Sequence, residues 1–238
     1  MDVAGWFEGT AYTSATPTRL VDTRDGTGGT QGRTDANSPL TIAVTNLPIL
    51  DATGAPTTTP SIIGAVALNI TVVSPSASGF ITVWPCDVER PLSSNINYVA
   101  GQVVPNGVVA PVSADGTVCL YSQAATDVVV DLAGWFQGQL FTGSTPTRLV
   151  DTRDGTGGRI GAITNTDELS VPIHNVTLNV GDQDQAIPVT ATAAALNITV
   201  ANPVASGFIT VWPCGVARPL SSNLNYTPGS VVANNVIA

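Results

Sequence analysis

Two stretches of this chain bring together side chains that could do chemistry, and each occurs twice. Asp22-Thr-Arg-Asp-Gly-Thr-Gly-Gly recurs without change at Asp151 to Gly158. Two carboxylates three positions apart, beside glycines, could ligate calcium through oxygen atoms, with Asp22 and Asp25, and again Asp151 and Asp154, as the ligands. A strong calcium loop carries further carboxylates, however, and Arg24 and Arg153 would repel a cation. The residue types favour a structural role in which Arg19, Asp22, Arg24 and Asp25 pair with each other or with backbone groups to fix a strand end and its turn. No bound metal is expected.

The second pair is Trp84-Pro85, followed by Arg90-Pro-Leu-Ser-Ser-Asn95, and Trp212-Pro213, followed by Arg218-Pro-Leu-Ser-Ser-Asn223. An aromatic platform near a guanidinium and an amide is the combination that binds sugars, through the ring face and planar hydrogen-bonding groups. A tryptophan in a two-sheet β fold is more often buried where sheets or units meet, so Trp84 and Trp212 carry both readings. The single histidine, His174, corresponds to Thr45 in the other copy and has no triad or zinc partners in sequence, which favours an exposed strand residue. The sequons Asn69-Ile-Thr, Asn175-Val-Thr and Asn197-Ile-Thr fall in or beside expected strands and read as chance matches. No acid/base pair suggests an enzyme, and no cofactor is implied.

A net charge of −9, no lysine and scattered arginines disfavour nucleic acid and anionic membranes as partners. No apolar run approaches the roughly 20 residues of a spanning helix. Membrane insertion is not expected, and no signal peptide is legible at the start.

The elements that must position these residues are set by an internal duplication. Ala67 to Cys86, ALNITVVSPSASGFITVWPC, returns at Ala195 to Cys214 as ALNITVANPVASGFITVWPC. Asp22 and Asp151 lie 129 positions apart and Trp84 and Trp212 lie 128 apart, so one residue is lost between them, in a Thr/Pro/Gly/Asp-rich surface loop. The division expected is residues 1–8 as the last strand of a preceding repeat, 9–138 as a first complete repeat, and 139–238 as a second repeat lacking its C-terminal strands.

Each copy reads as eight or nine short strands separated by turn signals. ALNITV and GFITV read as the two arms of a hairpin, with Leu68, Ile70, Val72, Ile81 and Val83 on the core face. Leu196, Ile198, Val200, Ile209 and Val211 repeat that face, while Asn69, Thr71 and Thr82 point away. A strand is also expected over Leu40 to Val44 and over its counterpart Leu169 to Ile173, and a pair of strands between Gln102 and Val112. The fold class expected is all-β, as tandem antiparallel β-sandwich, jelly-roll-like repeats of about 129 residues. A β-trefoil is the alternative, weakened because GFITVWPC occurs once per copy.

The combination RLVDTRDGTGG, ALNITV, GFITVWPC, RPLSSNINY, VCLY and VVVDLAGWF resembles a tandem β-repeat of secreted and cell-surface actinobacterial proteins, across nearly all of both copies. The resemblance implies an extracellular or cell-surface location and a structural or adhesive module in a rod or filament. Its partners would be neighbouring repeats or head-to-tail copies of the chain. A carbohydrate-binding module recognising cell-surface glycans is the alternative. In that oxidising setting Cys86 and Cys119, both at strand ends of one copy, are expected to form a disulfide, leaving Cys214 unpaired. Asp2 to Phe7, DVAGWF, matches Asp131 to Phe136, DLAGWF, and Ala238 matches Ala110. The second copy is therefore expected to be completed by strands outside residues 1–238.

Overall fold

The computed structural model describes residues 11–35, 38–137, 141–164, 167–180, 183–218 and 223–237. Among these the chain is all-β: no helix forms, and every strand pairing is antiparallel. Short runs rich in Val, Ile and Thr, cut by Gly, Pro and Asn, leave little else available. The segment Asp2 to Phe7, with Trp6, lies outside the described residues.

The first half contains β1 (Tyr12–Asp22), β2 (Leu40–Ala43), β3 (Pro48–Leu50), β4 (Pro56–Thr58), β5 (Ala65–Val73), β6 (Gly79–Pro85), β7 (Ile96–Tyr98), β8 (Val103–Pro111), β9 (Thr117–Ser122) and β10 (Asp127–Phe136). Eight of them form two four-stranded sheets, one ordered β1-β10-β5-β8 and the other β2-β9-β6-β7; β3 and β4 pair separately. Alternate residues of both sheets meet in one apolar cluster. The first sheet contributes Leu68, Ile70, Val72, Val108, Val128, Val130 and Leu132; the second contributes Leu40, Ile42, Ile81, Val83, Ile96, Val118 and Leu120. Period-two patterning does this, because each strand turns one face to the other sheet.

β5 and β6 are not a hairpin. β5 bonds to β10 and β8, and β6 to β9 and β7, so residues 74–78 carry the chain from one sheet to the other. The five core residues expected from sequence are buried nonetheless, since alternation selects the inward face whichever strand lies alongside. Between Gln102 and Val112 there is one strand, β8, not two. Asn69 is exposed and Thr71 half-buried, but Thr82 is fully buried. The segment after β6 folds back over the outer face of its sheet, and Thr82 Oγ1 donates to Ser93 O at 2.6 Å.

The second half contains β11 (Thr177–Val180), β12 (Gln183–Ala186), β13 (Ala195–Ala201), β14 (Gly207–Ile209), β15 (Leu224–Tyr226) and β16 (Val231–Ile237). The pairing of β13 with β16 repeats that of β5 with β8, Ile198 facing Asn234 as Ile70 faces Asn106. Likewise β14 and β15 repeat β6 and β7, Gly207 facing Tyr226 as Gly79 faces Tyr98. Among the described residues no strand takes the place of β9 or β10 here. Among the described strands of the first half β1 pairs with β10 alone, apart from an isolated Ala15–Asp51 bridge, and β2 pairs with β9 alone. Their counterparts, 141–151 and 169–173, are accordingly not strands apart from an Asp151–Thr156 bridge, contrary to the expectation for Leu169 to Ile173. The same lack of cover leaves Leu196, Ile198, Val200, Ile209 and Val211 half-buried instead of forming an equivalent second core.

Candidate functional site

The Asp22 turn is built around one carboxylate. Asp22 accepts from Arg24 N at 3.1 Å, Arg24 Nε at 2.8 Å, Arg24 Nη2 at 2.6 Å and Arg19 Nη1 at 3.2 Å, while only 2% of the residue is exposed. The Arg24 side chain, donating to it, holds this carboxyl well below the usual carboxylate range. Asp25 instead accepts from Thr27 N at 2.9 Å and is lowered chiefly by that backbone hydrogen bond. The second copy repeats the geometry: Asp151 accepts from Arg153 N, Nε and Nη2 at 3.0, 2.9 and 2.6 Å and from Arg148 Nη1 at 2.8 Å, and Asp154 accepts from Thr156 N at 2.9 Å. Arginines occupy the Asp22 and Asp151 oxygens a calcium ion would need, so these two aspartates each centre an arginine-clamped turn. The copies differ in their tertiary bonds: Arg19 Nε and Nη2 also bind Asp131 of β10 at 2.9 and 3.2 Å, and Thr23 Oγ1 donates to Asp127 Oδ1 at 3.1 Å and accepts from Val128 N at 3.0 Å.

Trp84 is 5% exposed, which fits the buried reading of this residue and not the solvent-facing sugar platform. Its Nε1–H donates to Val88 O at 3.1 Å, which ties the ring to the returning segment. Trp212 is half-buried and makes the same bond, to Val216 O at 3.2 Å. Asn95 is a buried structural residue whose Oδ1 accepts from Val83 N at 2.8 Å, and Asn223 repeats this with Val211 N at 2.7 Å. Arg218 is exposed. Arg90 is also exposed but lies over the Tyr121 ring, 3.9 Å from its centroid, and Phe80 is tilted against the same ring at 5.8 Å. The aromatic face beside a guanidinium is therefore Tyr121's. The segment is anchored at its root by a disulfide joining Cys86 to Cys119 of β9, while Cys214 is a free, exposed thiol. His174 is exposed, its Nε2 3.0 Å from Ala191 O.

The two copies touch through backbone groups and asparagines. Asn235 N–H donates to Asn106 Oδ1 at 3.4 Å, Arg148 Nη2 donates to Leu92 O at 3.2 Å, and Asn197 Nδ2 donates to Ser94 O. Asn106, 4% exposed in mid-strand, also donates through Nδ2 to Asn95 O at 2.7 Å, and Asn234 does the same to Asn223 O at 2.6 Å. Sequence reasoning passed over Asn106 and Tyr121. A polar amide within a valine-rich strand at the repeat spacing was a usable signal for the first. The second depends on knowing that β9 lies beside β6, where Tyr121 faces Thr82.

Two shallow clefts stand out among the described residues. One, of about 290 Å³, is lined by Asp87 as its only titratable group among the described residues, and that carboxylate accepts from Ala114 N at 2.9 Å. The other, of about 260 Å³, lies between the copies, with Leu92 and Ser93 on one side and Arg148 and Asp154 on the other. Neither brings a proton donor and acceptor to bear on a common point. No family model, curated protein or solved structure matches the chain.

Proposed function

We propose that the chain is an extracellular structural or adhesive module, built of tandem β-sandwich repeats that stack into a rod or filament. The sandwich reading is supported by two four-stranded sheets sharing one apolar cluster, with the chain passing repeatedly between them in jelly-roll fashion. The duplicated sequence and the repeated pairing of β5/β8 and β13/β16 support the tandem reading over a β-trefoil. An extracellular setting is supported by the Cys86–Cys119 disulfide, which persists in oxidising compartments, and by the resemblance to actinobacterial cell-surface repeats. The observation that carries the structural role is the direct bonding of one copy to the next through Asn106, Leu92 and Ser94. Small-angle scattering of proteins carrying one, two and three fused chains tests it. A maximum dimension that grows by a constant step per chain is expected; a near-spherical envelope would sink the rod.

Carbohydrate binding is the second reading, favoured by the Arg90–Tyr121–Phe80 cluster. Specific signals on a glycan array that vanish in Tyr121→Ala would support it over a purely structural role.

A further inference from the structure

β13 has one neighbour among the described residues, β16, and its other edge faces no described strand. Its sequence, Ala195-Leu-Asn-Ile-Thr-Val, is identical to the part of β5 that lies beside β10 in the first half. We propose that this edge of β13 is a docking site for one extended strand of the β10 type, Asp-Val-Val-Val-Asp-Leu-Ala-Gly-Trp-Phe.

Three observations fit that occupant. The first is the direction of the backbone. Thr71 faces Pro105 of β8, which has no N–H, so this is not a hydrogen-bonded pair on that side and the Thr71 amide turns to β10. Thr199 is its counterpart, so the N–H and C=O groups of Asn197, Thr199 and Ala201 lie along the open edge, while those of Ile198 and Val200 serve β16. The second is the apolar face: Leu196, Ile198 and Val200 are half-buried, whereas Leu68, Ile70 and Val72 are covered where β10 supplies Val128, Val130 and Leu132. The third is charge. In the first half Arg19, Asp131 and Asn69 lie side by side on β1, β10 and β5. In the second half Arg148 and Asn197, the counterparts of the outer two, are both tied to one short stretch of the first copy, at Leu92 O and Ser94 O. The central carboxylate is the missing member, and the fifth residue of a β10-type strand would place it opposite Arg148. Main-chain bonds supply affinity in such strand addition and alternate side chains supply specificity.

This docking rests on the reading of 139–238 as a second repeat, but its test is independent of the rod. The full chain, labelled with ¹⁵N, is titrated with the synthetic ten-residue peptide of β10 sequence and followed by amide hydrogen exchange. Exchange at Asn197, Thr199 and Ala201 should slow at least tenfold, with Asn69 and Thr71 unchanged. A control peptide with Asp at the positions of Val128, Val130 and Leu132 should give no slowing, and Thr199→Pro in the chain should abolish the effect while leaving first-half signals in place. Unchanged exchange with the native peptide, or equal slowing with the control, overturns the proposal while leaving the scattering result untouched. Slowing at Thr199 that appears with rising chain concentration alone, and is lost when residues 1–10 are removed, would identify a second whole chain as the strand's source and support the same site.

Discussion

Gly28 shows how much of the Asp22 turn is written into single residues. Its φ is 83°, and a Cβ there would meet Leu20 O at 2.3 Å; Gly157 repeats this with φ 78° and Leu149 O at 2.5 Å. The turn forms alike beside a paired strand in the first half and beside an unpaired segment in the second, so it is locally determined. That is why it was legible in sequence as an arginine–aspartate turn. Gly28→Ala should destabilise the first half by of order 1–3 kcal/mol in denaturant unfolding. Asp22→Asn should cost about 1 kcal/mol at neutral pH, since both arginines are half-exposed. Because the Asp22 carboxyl is held below its ordinary value, its contribution is complete above about pH 4 and is lost as pH falls further, toward the native value. Denaturation midpoints of the parent chain should therefore drop between about pH 4 and pH 2 more steeply than those of Asp22→Asn. Parallel pH profiles would remove the carboxylate from the account of acid stability.

At the scale of elements, the inward face of each strand was readable and its neighbours were not. Period-two alternation selects Leu68, Ile70, Val72, Ile81 and Val83 whether β5 and β6 lie side by side or face each other, so burial alone could not distinguish a hairpin from a crossing between sheets. Thr82 escaped, and Trp84 stayed between two readings, for a related reason. Alternation presumes one wet face, and here residues 86–94 return over it, held by the Thr82–Ser93 and Trp84–Val88 bonds and by the disulfide. Trp84→Ala should therefore act as a core truncation, costing about 3–5 kcal/mol, with the loss seen in thermal unfolding. Replacing Cys86 and Cys119 by serine opens a loop of 33 residues and should cost about 3–4 kcal/mol in the chain-entropy view. A Trp84→Ala chain as stable as the parent would show that the returning segment packs loosely on its sheet.

On the scale of the molecule, one sequence is placed in two environments. Among the described residues ALNITV lies between two strands in β5 and beside one in β13, and the difference follows from partners beyond the segment, which no local reading of six identical residues could supply. Sheet edges are where stability is lost first, because one neighbour supplies half the cover and half the main-chain bonds. Fully burying an aliphatic side chain contributes roughly 1.5–3 kcal/mol, so leaving Leu196, Ile198, Val200, Ile209 and Val211 half-buried removes about 4–7 kcal/mol from the second half relative to the first. The amides of Ile70 and Ile198 isolate that effect, since each bonds to its equivalent partner strand, β8 and β16, in the same register. Native-state hydrogen exchange should find Ile198 opening at least a thousandfold more readily than Ile70, as about 4 kcal/mol implies. Binding of a β10-type strand should narrow the gap, because a ligand taken up only by the folded edge raises its opening free energy. Equal protection at the two isoleucines in the peptide-free chain would mean that the second half is as well covered as the first, and would leave the open edge of β13 without energetic meaning.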